Sequence, residues 1–440
     1  MRALIAAKDK NDISRMQNII SVFLQFSSYL FIFYILTNIK RGGDTKYIVP
    51  YVTFILSMLY MFLKSDFTIF KNRVFYSLLA YVIISYLLIP FSFDPSITFD
   101  SLNEKVLPGL FLFIAVYLMI KNMRRLSDLM GFLFFLLVFI LLSGYFSFAQ
   151  GIFSDYATAH VNPDIHLLHY RKNLNEFAMV VNLLLPSGIV LLINDSRKYV
   201  KYMSGAVVIL AVAAIFLSLS RFGWLILILM ACMWSVFLVR NIRVSPWGMG
   251  ALWTGILVSF LLFWLVVPSF KNAVNLVAEQ VGTFNNRTEI WERNIKAIKE
   301  SPLTGWGYGD KIMWDGHPFI LDKKNELAII QKIGAHSHNE MLNVLFHQGF
   351  AGLIFYMYLI GYCLVSIYKS IKNSHEGRKN TLLFAIFTVF MGVIIFHSFF
   401  EIIPFTYICL ILGLFSGINA LHKDEFNGNI ARYPLIGPDS

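Results

Sequence analysis

The stretch that decides the fold is GAHSHNEMLNVLFHQGFAGLIFYMYLIGYCLVSIY, residues 334–368, in which a short polar segment leads directly into a long apolar one. The apolar part is long enough to cross the hydrocarbon core of a bilayer as one helix, which needs roughly 20 residues. Ser337 and Glu340 have the Ser-x-x-Glu spacing of a capping box and predict that a helix starts there, with His338 in its first turn. This stretch therefore predicts a transmembrane helix with a histidine at its polar end, where the partial positive charge favours neutral imidazole.

The rest of the chain is similarly apolar. Of its 440 residues, 57% are hydrophobic and only 14% are charged, and the mean hydropathy is +0.64. A soluble globular domain has about 25% charged residues, so an ordinary soluble fold is excluded. The candidate membrane spans lie near 18–38, 47–63, 74–92, 106–120, 130–150, 175–193, 201–219, 223–239, 249–267, 345–368, 381–399 and 403–421. We predict an all-α polytopic membrane protein with about twelve transmembrane helices.

The Lys and Arg residues predict the orientation, because positively charged short loops stay in the cytoplasm. With the N-terminus inside, most short-loop cations fall in cytoplasmic segments such as 64–73, 121–125 and 369–379. Both termini are then expected in the cytoplasm, and the first span is expected to be retained in the membrane, since no cleavage-site pattern precedes it. We expect a single transmembrane domain, 1–440, with a long periplasmic loop, 268–337, within it.

Net charge and cysteine content exclude other classes. The net charge is +11, but the cations are scattered over many loops, so topology and anionic lipids explain them better than nucleic acid does. The three cysteines all fall inside predicted spans, which makes a disulfide or zinc-thiolate framework improbable.

One histidine cluster could suggest a metal. His160, His166 and His169 lie with Asp155 and Asp164 in the predicted outer loop 151–174. A zinc site needs a fixed ligand geometry, and an irregular outer loop is the favoured interpretation. We therefore expect neither a metal nor a cofactor.

The long polar segment contains a second helix signal. Asn286 and Glu289 have the spacing of an N-cap and the third helical residue, and Trp291, Ile295 and Ile298 then fall on one face. This pattern predicts a short amphipathic helix at the outer membrane surface.

A glycine-rich pentapeptide follows that helix. Residues 305–309, GWGYG, are typical of a tight turn with aromatic side chains. Such side chains suit the membrane interface or stacking against sugar rings, and packing alone is an equal alternative.

Three basic residues are predicted on the same outer face. Arg221 separates two apolar runs, and an arginine at membrane depth costs on the order of 2.5–3.5 kcal/mol unless it snorkels to the interface or faces an anion. Taken singly, Arg287 could be a solvated loop charge and His338 an ordinary histidine. Together they offer two guanidinium groups, which bind phosphate bidentately, and a base. The implied chemistry is displacement of a lipid-linked phosphate or diphosphate by an alcohol.

The same residues carry a family resemblance. The chain from about 170 to 420 resembles the bacterial O-antigen ligase superfamily, which also includes O-antigen polymerases and protein O-oligosaccharyltransferases. The elements that resemble the family are Ser220-Arg221-Phe222-Gly223-Trp224, Asn286-Arg287, Trp291, Gly305-Trp306-Gly307, His338-Asn339, Leu342, Gly349 and Gly352-Leu353.

The resemblance implies a fold, a reaction and roles. It implies a glycosyltransferase-C-like fold in the inner membrane and an inverting, metal-independent transfer from undecaprenyl diphosphate on the periplasmic face. The expected function is an O-antigen ligase that uses a hydroxyl of lipid A-core oligosaccharide as acceptor in lipopolysaccharide biosynthesis. Arg221 and Arg287 would hold the diphosphate, and His338 would activate the acceptor hydroxyl.

Further residues are candidates for supporting roles. Two cations beside the predicted sixth span could add charge for the diphosphate, an asparagine and a second histidine adjoin the proposed base, and an acidic residue between the last two spans could orient it. These residues are Arg171, Lys172, Asn339, His336 and Glu401.

Two alternatives stay open. A polymerase of the same superfamily would use a second lipid-linked repeat as acceptor. A transporter of a lipid-linked or anionic substrate could use Arg221 and Arg287 as clamps, but transporter folds often contain paired repeats, and we find none in this sequence.

Overall fold

A computed structural model describes most of the chain and gives a helical protein. The described residues are 2–37, 45–149, 174–218, 220–242, 244–245, 247, 250, 254, 287–309, 312, 337–374, 377–399 and 404–421. All regular elements in these ranges are helical. The chain divides into two compact units, of which unit 1 contains residues 1–132, 291–386 and 402–440, and unit 2 contains residues 133–290 and 387–401.

The main helices of the described ranges are numbered α1 to α13. They are α1 (Arg2–Thr37), α2 (Thr45–Lys64), α3 (Arg73–Leu87), α4 (Pro95–Lys105), α5 (Leu107–Met119), α6 (Met123–Ala149), α7 (Leu174–Asn194), α8 (Lys198–Leu217), α9 (Arg221–Phe237), α10 (Arg287–Glu300), α11 (Glu340–Asn373), α12 (Gly377–Phe399) and α13 (Phe405–Ala420). Short 3₁₀ segments, Thr68–Lys71 and Ile89–Phe91, flank α3, and a π-helical turn, Leu238–Ile242, follows α9.

The membrane character of the chain is confirmed. Within the described residues, nine helical stretches are long and apolar enough to cross a bilayer, and α2 and α13 supply shorter apolar helices. Every predicted span except 249–267 coincides with a described helix, and that span lies almost entirely outside the described residues. The protein is an all-α polytopic membrane protein.

In unit 1, α5 and α13 form a tightly packed pair. Both helices are apolar on every side and almost wholly buried, as expected for helices at the centre of a membrane bundle. Glycines on α13 face α5, and a Cβ added to Gly413 would lie 3.0 Å from Val116, while one on Gly417 would lie 2.8 Å from Ile120. Small residues permit this close approach, which supplies the van der Waals contact that holds membrane helices together.

In unit 2, α7 is the central helix. It packs against α8 and α9, and most of its side chains are buried. A Cβ on Gly144 of α6 would lie 2.6 Å from the ring of Phe177, and one on Gly223 of α9 would lie 2.6 Å from the Cβ of Ala178. Glycine therefore sets the spacing of the helices on two sides of α7.

Candidate active site

The predicted capping box at the start of α11 is wrong. The helix begins at Glu340, and its N-cap is Asn339, whose side-chain carbonyl accepts a hydrogen bond from Leu342 N at 3.0 Å. Ser337 Oγ instead donates to the carbonyl oxygen of Asn339 at 2.7 Å, so the serine closes a local turn. Asparagine caps helices at least as well as serine. Here Asn339 directly precedes the helix, whereas Ser337 lies three residues before its first residue. His338 therefore precedes the helix and is not in its first turn.

His338 has an unusual backbone. Its φ is +49°, and Ser65 is the other non-glycine residue with positive φ in the described part of the chain. This left-handed region is sparsely populated by residues with a Cβ, and residues held there cluster at functional sites. The side chain of His338 is half-buried. A strained, partly accessible histidine is therefore a candidate functional residue.

A hydrogen bond from α10 holds the segment before His338. Trp291 Nε1 donates to the carbonyl oxygen of Ser337 at 2.8 Å, and Ser337 is completely buried. Trp291 lies one turn after Arg287 on α10. Within unit 1, the amphipathic helix therefore fixes the peptide that leads into His338.

The predicted short amphipathic helix is confirmed as α10, and its place at the outer membrane surface stays a prediction. Its buried side does not coincide with the face that carries Trp291, Ile295 and Ile298. Ala297 and Ile298 are buried, as is Asn294, whereas Ile295 is 43% exposed. The buried face is centred on positions 294, 297 and 298. Because successive residues of a helix are rotated by about 100°, Ile295 lies about 100° from Asn294 and outside this face.

The predicted tight turn lies slightly earlier than expected, at 302–304, where Gly305 N donates to Ser301 O at 3.0 Å. The turn and the glycine-rich segment 305–309 that follows it contact a break in α11 at Gly349. Trp306 N donates to Phe346 O at 2.8 Å, and Gly307 N donates to His347 O at 2.9 Å. On the other side of the break, Phe350 N donates to Pro302 O at 2.8 Å. The turn thus supplies main-chain partners where α11 cannot satisfy its own hydrogen bonds.

Two glycines make this junction possible. Gly305 has φ +70° and Gly349 has φ +60°, a conformation that strains other residues. A Cβ on Gly305 would lie 2.5 Å from Gln348 N, and a Cβ on Gly349 would lie 2.4 Å from Leu303 C. Both the backbone conformation and the space exclude larger residues here.

Packing accounts for Trp306. Its indole Nε1 donates to Ala297 O at 2.8 Å, and its ring packs against a small core that contains Ile298 and Phe346. Of the two interpretations left open by the sequence, the packing role is the one that these contacts support. This segment therefore has a structural role, because it packs against α11 next to its break.

Sequence reasoning missed a buried polar stripe on α11. Glu340, Asn343 and His347 are 7%, 5% and 4% exposed, and their spacing places them on one helical face. Asn343 Nδ2 donates to Glu340 Oε2 at 3.2 Å, and His347 Nδ1 lies 2.6 Å from Gly307 O. The available signal was polar residues at i, i+3 and i+7 before an apolar run. Glu340 is therefore an additional candidate, a buried carboxylate two residues after His338.

In unit 2, Arg221 is the first residue of α9. Ser220 caps the helix by accepting from Gly223 N at 3.1 Å, and its hydroxyl donates to Asn175 Oδ1 at 2.7 Å. Asn182 Nδ2 donates to Gly223 O at 3.2 Å. The cap and the hydrogen bonds between α7 and α9 fix the backbone on which Arg221 is carried.

Two residues of the motif Ser220-Arg221-Phe222-Gly223 have structural roles. Ser220 caps the helix, and Gly223 allows α7 to approach α9. Arg221 is half-buried at the positive end of the helix, where a cation is electrostatically disfavoured. A guanidinium group beside a helix N-terminus is well suited to bind an anion.

Several predicted site residues lie outside the described part of the chain. Arg287 begins α10, but its side chain is outside the description. The others outside it are Arg171, Lys172, His336 and Glu401, together with the histidine cluster of 151–174. Among the described residues, no group of three or more His, Cys, Asp and Glu side chains could hold a metal ion. Asn339 is described and acts as a helix cap.

Residues 206–357 match the family model described as O-Antigen ligase, and the match includes both Arg221 and His338. Over this segment the chain is similar to the O-antigen ligase superfamily.

The chain is also similar to curated proteins with related names. It is 23% identical to the O-antigen ligase of Salmonella typhimurium over 368 residues, which cover 80% of this chain and 84% of the relative. It is 23% identical to the ComP-specific O-oligosaccharyltransferase of Acinetobacter baylyi over 203 residues, or 43% of this chain and 34% of that protein. It is 26% identical to the exopolysaccharide production protein ExoQ of Rhizobium meliloti over 142 residues, or 31% of each chain. The last two matches therefore span about a third of the relatives' length.

Proposed function

We propose that this protein is an O-antigen ligase, which transfers a glycan from undecaprenyl diphosphate to a hydroxyl of lipid A-core oligosaccharide in lipopolysaccharide biosynthesis. The observation that carries the proposal is that the family match, 206–357, includes the two polar helix starts at Arg221 and His338. The match to the Salmonella typhimurium O-antigen ligase over most of both chains favours this member of the superfamily.

The donor diphosphate is assigned to Arg221. A half-buried guanidinium group at a capped helix N-terminus combines a full charge with main-chain N–H dipoles, and both attract phosphate oxygens. Arg287 is proposed as a second guanidinium group. Two such groups can neutralise the diphosphate without a metal, and diphosphate is a good leaving group that stores the energy of the reaction.

The proton transfer is assigned to His338. Its imidazole accepts the proton of the acceptor hydroxyl while the hydroxyl oxygen attacks the anomeric carbon of the donor glycan. The bond from that carbon to the diphosphate oxygen breaks, the configuration inverts, and undecaprenyl diphosphate leaves with the electron pair. General base catalysis of this kind contributes about 10²–10⁴ in rate.

The remaining assignments complete the proposal. Asn339, His336, Arg171, Lys172 and Glu401 are proposed as supporting residues. The protein is proposed to form one transmembrane domain, with 268–337 as a periplasmic loop, both termini in the cytoplasm of a bacterial cell, and the active site at the periplasmic face of the inner membrane.

The decisive experiment is transfer in vitro by the purified full-length protein. Undecaprenyl-diphosphate-linked glycan is offered with either lipid A-core or a second lipid-linked repeat, in the presence of EDTA and without ATP. The expected product is glycan on lipid A-core. Elongated lipid-linked glycan would instead identify a polymerase. An absence of product with both acceptors, from protein that remains folded, would contradict both assignments.

Two relatives supply the other candidates. A polymerase is the second candidate, and similarity to an exopolysaccharide production protein supports assembly of a polysaccharide. The match to the ComP-specific O-oligosaccharyltransferase makes transfer to a protein the third. A transporter of a lipid-linked or anionic substrate is a rival of a different class. Formation of product by purified protein in detergent would exclude transport as its only activity.

A further inference from the structure

A polar cavity lies in unit 1, at the opposite end of α11 from His338. Its volume is about 460 Å³, and it lies where the 3₁₀ segment Thr68–Lys71 and the start of α3 meet α11 and the end of α13. Ser366 of α11 lines it, and sixteen residues separate Ser366 from Phe350, beyond the break in α11. At 1.5 Å per residue, that distance is about 24 Å along the helix. The cavity is therefore distinct from the proposed active site.

The charges around this cavity are positive. Lys71 and Arg73 line it, both are exposed, and none of the described residues that line it is a carboxylate. Asp66 hydrogen bonds to the lining residue Thr68, but it also forms an ion pair with Lys121. Burial raises the pKa of Asp66, but the hydrogen bonds from Lys121 and Thr68 outweigh this effect and lower it overall. Asp66 is thus neutralised by its own partner, and Lys71 and Arg73 remain to attract an anion.

The cavity also presents neutral hydrogen-bond donors. Ser416 is 3% exposed, and its hydroxyl has no hydrogen-bond partner among the described residues. Ser366 and Ser370 line the same cavity, and Asn72 caps α3 there by accepting from Val74 N at 2.8 Å. A buried hydroxyl without a partner is destabilising, and a ligand with acceptor oxygens would relieve this. The N-terminus of α3 carries partial positive charge, which also favours an anionic ligand.

The size and the surroundings of the cavity favour a lipid headgroup. Its volume falls in the range of organic ligand pockets, about 300–1,000 Å³, and exceeds what a free phosphate would fill. Tyr362 and Phe415 add apolar lining, and Tyr358, which is 56% exposed, stacks on Tyr362 with ring centroids 5.9 Å apart. An apolar flank beside a basic pocket suits a molecule with both a phosphate and acyl chains.

We propose that this cavity binds the phosphate headgroup of an anionic phospholipid, with Lys71 and Arg73 at its mouth and Ser416 at its base. The acyl chains would extend along the exposed apolar side of α11. The same phosphate chemistry could come from a free anion, and the experiment below distinguishes the two sources. The site is independent of the proposed glycan transfer.

The test is lipid retention by the purified full-length protein, measured by native mass spectrometry after incubation with phosphatidylglycerol or phosphatidylcholine. The double variant Lys71→Gln/Arg73→Gln is compared with Lys64→Gln/Arg124→Gln, which removes the same charge from exposed residues outside the cavity lining. We expect wild type to retain phosphatidylglycerol preferentially. The cavity variant should retain it about tenfold less, since it loses two exposed cations whose contacts are weakened by solvent, and the control pair should match wild type.

Ser416→Ala gives a second, uncharged test. Loss of one hydrogen bond should weaken retention of phosphatidylglycerol about threefold, without changing the weak binding of phosphatidylcholine. Equal losses in the two double variants would assign the effect to general surface charge and overturn the proposal. Equal retention of the two lipids would do the same. Displacement of the lipid by equimolar inorganic phosphate would assign the cavity to a free anion and overturn the lipid assignment.

Discussion

The starts of α9 and α11 have the same kind of side-chain cap, but the basic residue lies on a different side of the cap in each. Ser220 accepts from Gly223 N at 3.1 Å and Asn339 accepts from Leu342 N at 3.0 Å, so each cap binds the third residue of its helix. Arg221 directly follows its cap and lies inside the helix, whereas His338 precedes its cap and has a left-handed backbone.

The difference matches the chemistry that we propose for each residue. Phosphate binding needs a cation added to the N–H groups of a helix end, and a regular helical residue supplies it. Proton transfer needs a ring held in one orientation, and a strained residue fixed by its neighbours supplies that. The bond from Trp291 to Ser337 O provides the fixation at α11, and Asn175 and Asn182 brace the backbone at α9.

The largest expected effect is on His338. His338→Ala should lower glycan transfer by about 10²–10⁴, because it removes the proposed base. The thermal unfolding midpoint should stay close to that of wild type, since the caps of α11 and the bond to Ser337 O use other groups. The measurement is single-turnover transfer with saturating donor. Wild-type transfer by this variant would contradict the role given to His338.

Arg221 should show a smaller effect of a different kind. Arg221→Gln should raise the KM for the lipid-linked donor by about 10- to 100-fold, because each lost charge-assisted hydrogen bond is worth about 1.5–3 kcal/mol. Arg221→Lys should recover part of this loss, since it restores the charge but not the bidentate geometry. Steady-state kinetics with varied donor checks both. An unchanged donor KM in Arg221→Gln would remove the contrast between the two helix starts.

The junction under α11 can be tested without an activity assay. Gly349→Ala should destabilise the protein by about 1–3 kcal/mol or more, because a non-glycine residue is strained at positive φ and its Cβ would meet the backbone of Leu303. Gly361→Ala is the matched control in the same helix, since nothing lies within 4 Å of its Cβ position. It should be neutral or slightly stabilising. Equal unfolding midpoints in detergent for the two variants would show that the break in α11 is not structurally required.

The fold could be predicted from the sequence largely because a bilayer fixes the length of its helices. The apolar runs therefore located the helices without any knowledge of their packing. The junction between Gly305 and Gly349 was not predictable, because it joins segments more than 40 residues apart through main-chain hydrogen bonds. The burial of Glu340 likewise depends on tertiary packing, which the sequence does not show.

The predicted cap shows a different limit. Ser337 and Asn339 are both good N-cap residue types, and each could accept a hydrogen bond from the backbone N–H three residues later. The choice between them depends on the turn closed by Ser337 Oγ and on the bond from Trp291, which lies 46 residues earlier in the chain. The sequence therefore located the start of α11 to within a few residues, but it did not fix the position of His338 relative to the helix.

The smallest expected effects come from the two caps themselves. Ser220→Ala and Asn339→Ala should each lower stability by about 0.5–2 kcal/mol, the usual cost of losing an N-cap. Ser220→Ala should cost more, because the serine hydroxyl also donates to Asn175 Oδ1. If the helix starts differ as proposed, Ser220→Ala raises the donor KM, while Asn339→Ala lowers kcat at saturating donor. Chemical unfolding in detergent and donor-dependent kinetics measure the two effects separately. The same kinetic change in both variants would mean that the two starts serve one step, and the division between phosphate binding at α9 and proton transfer at α11 would be wrong.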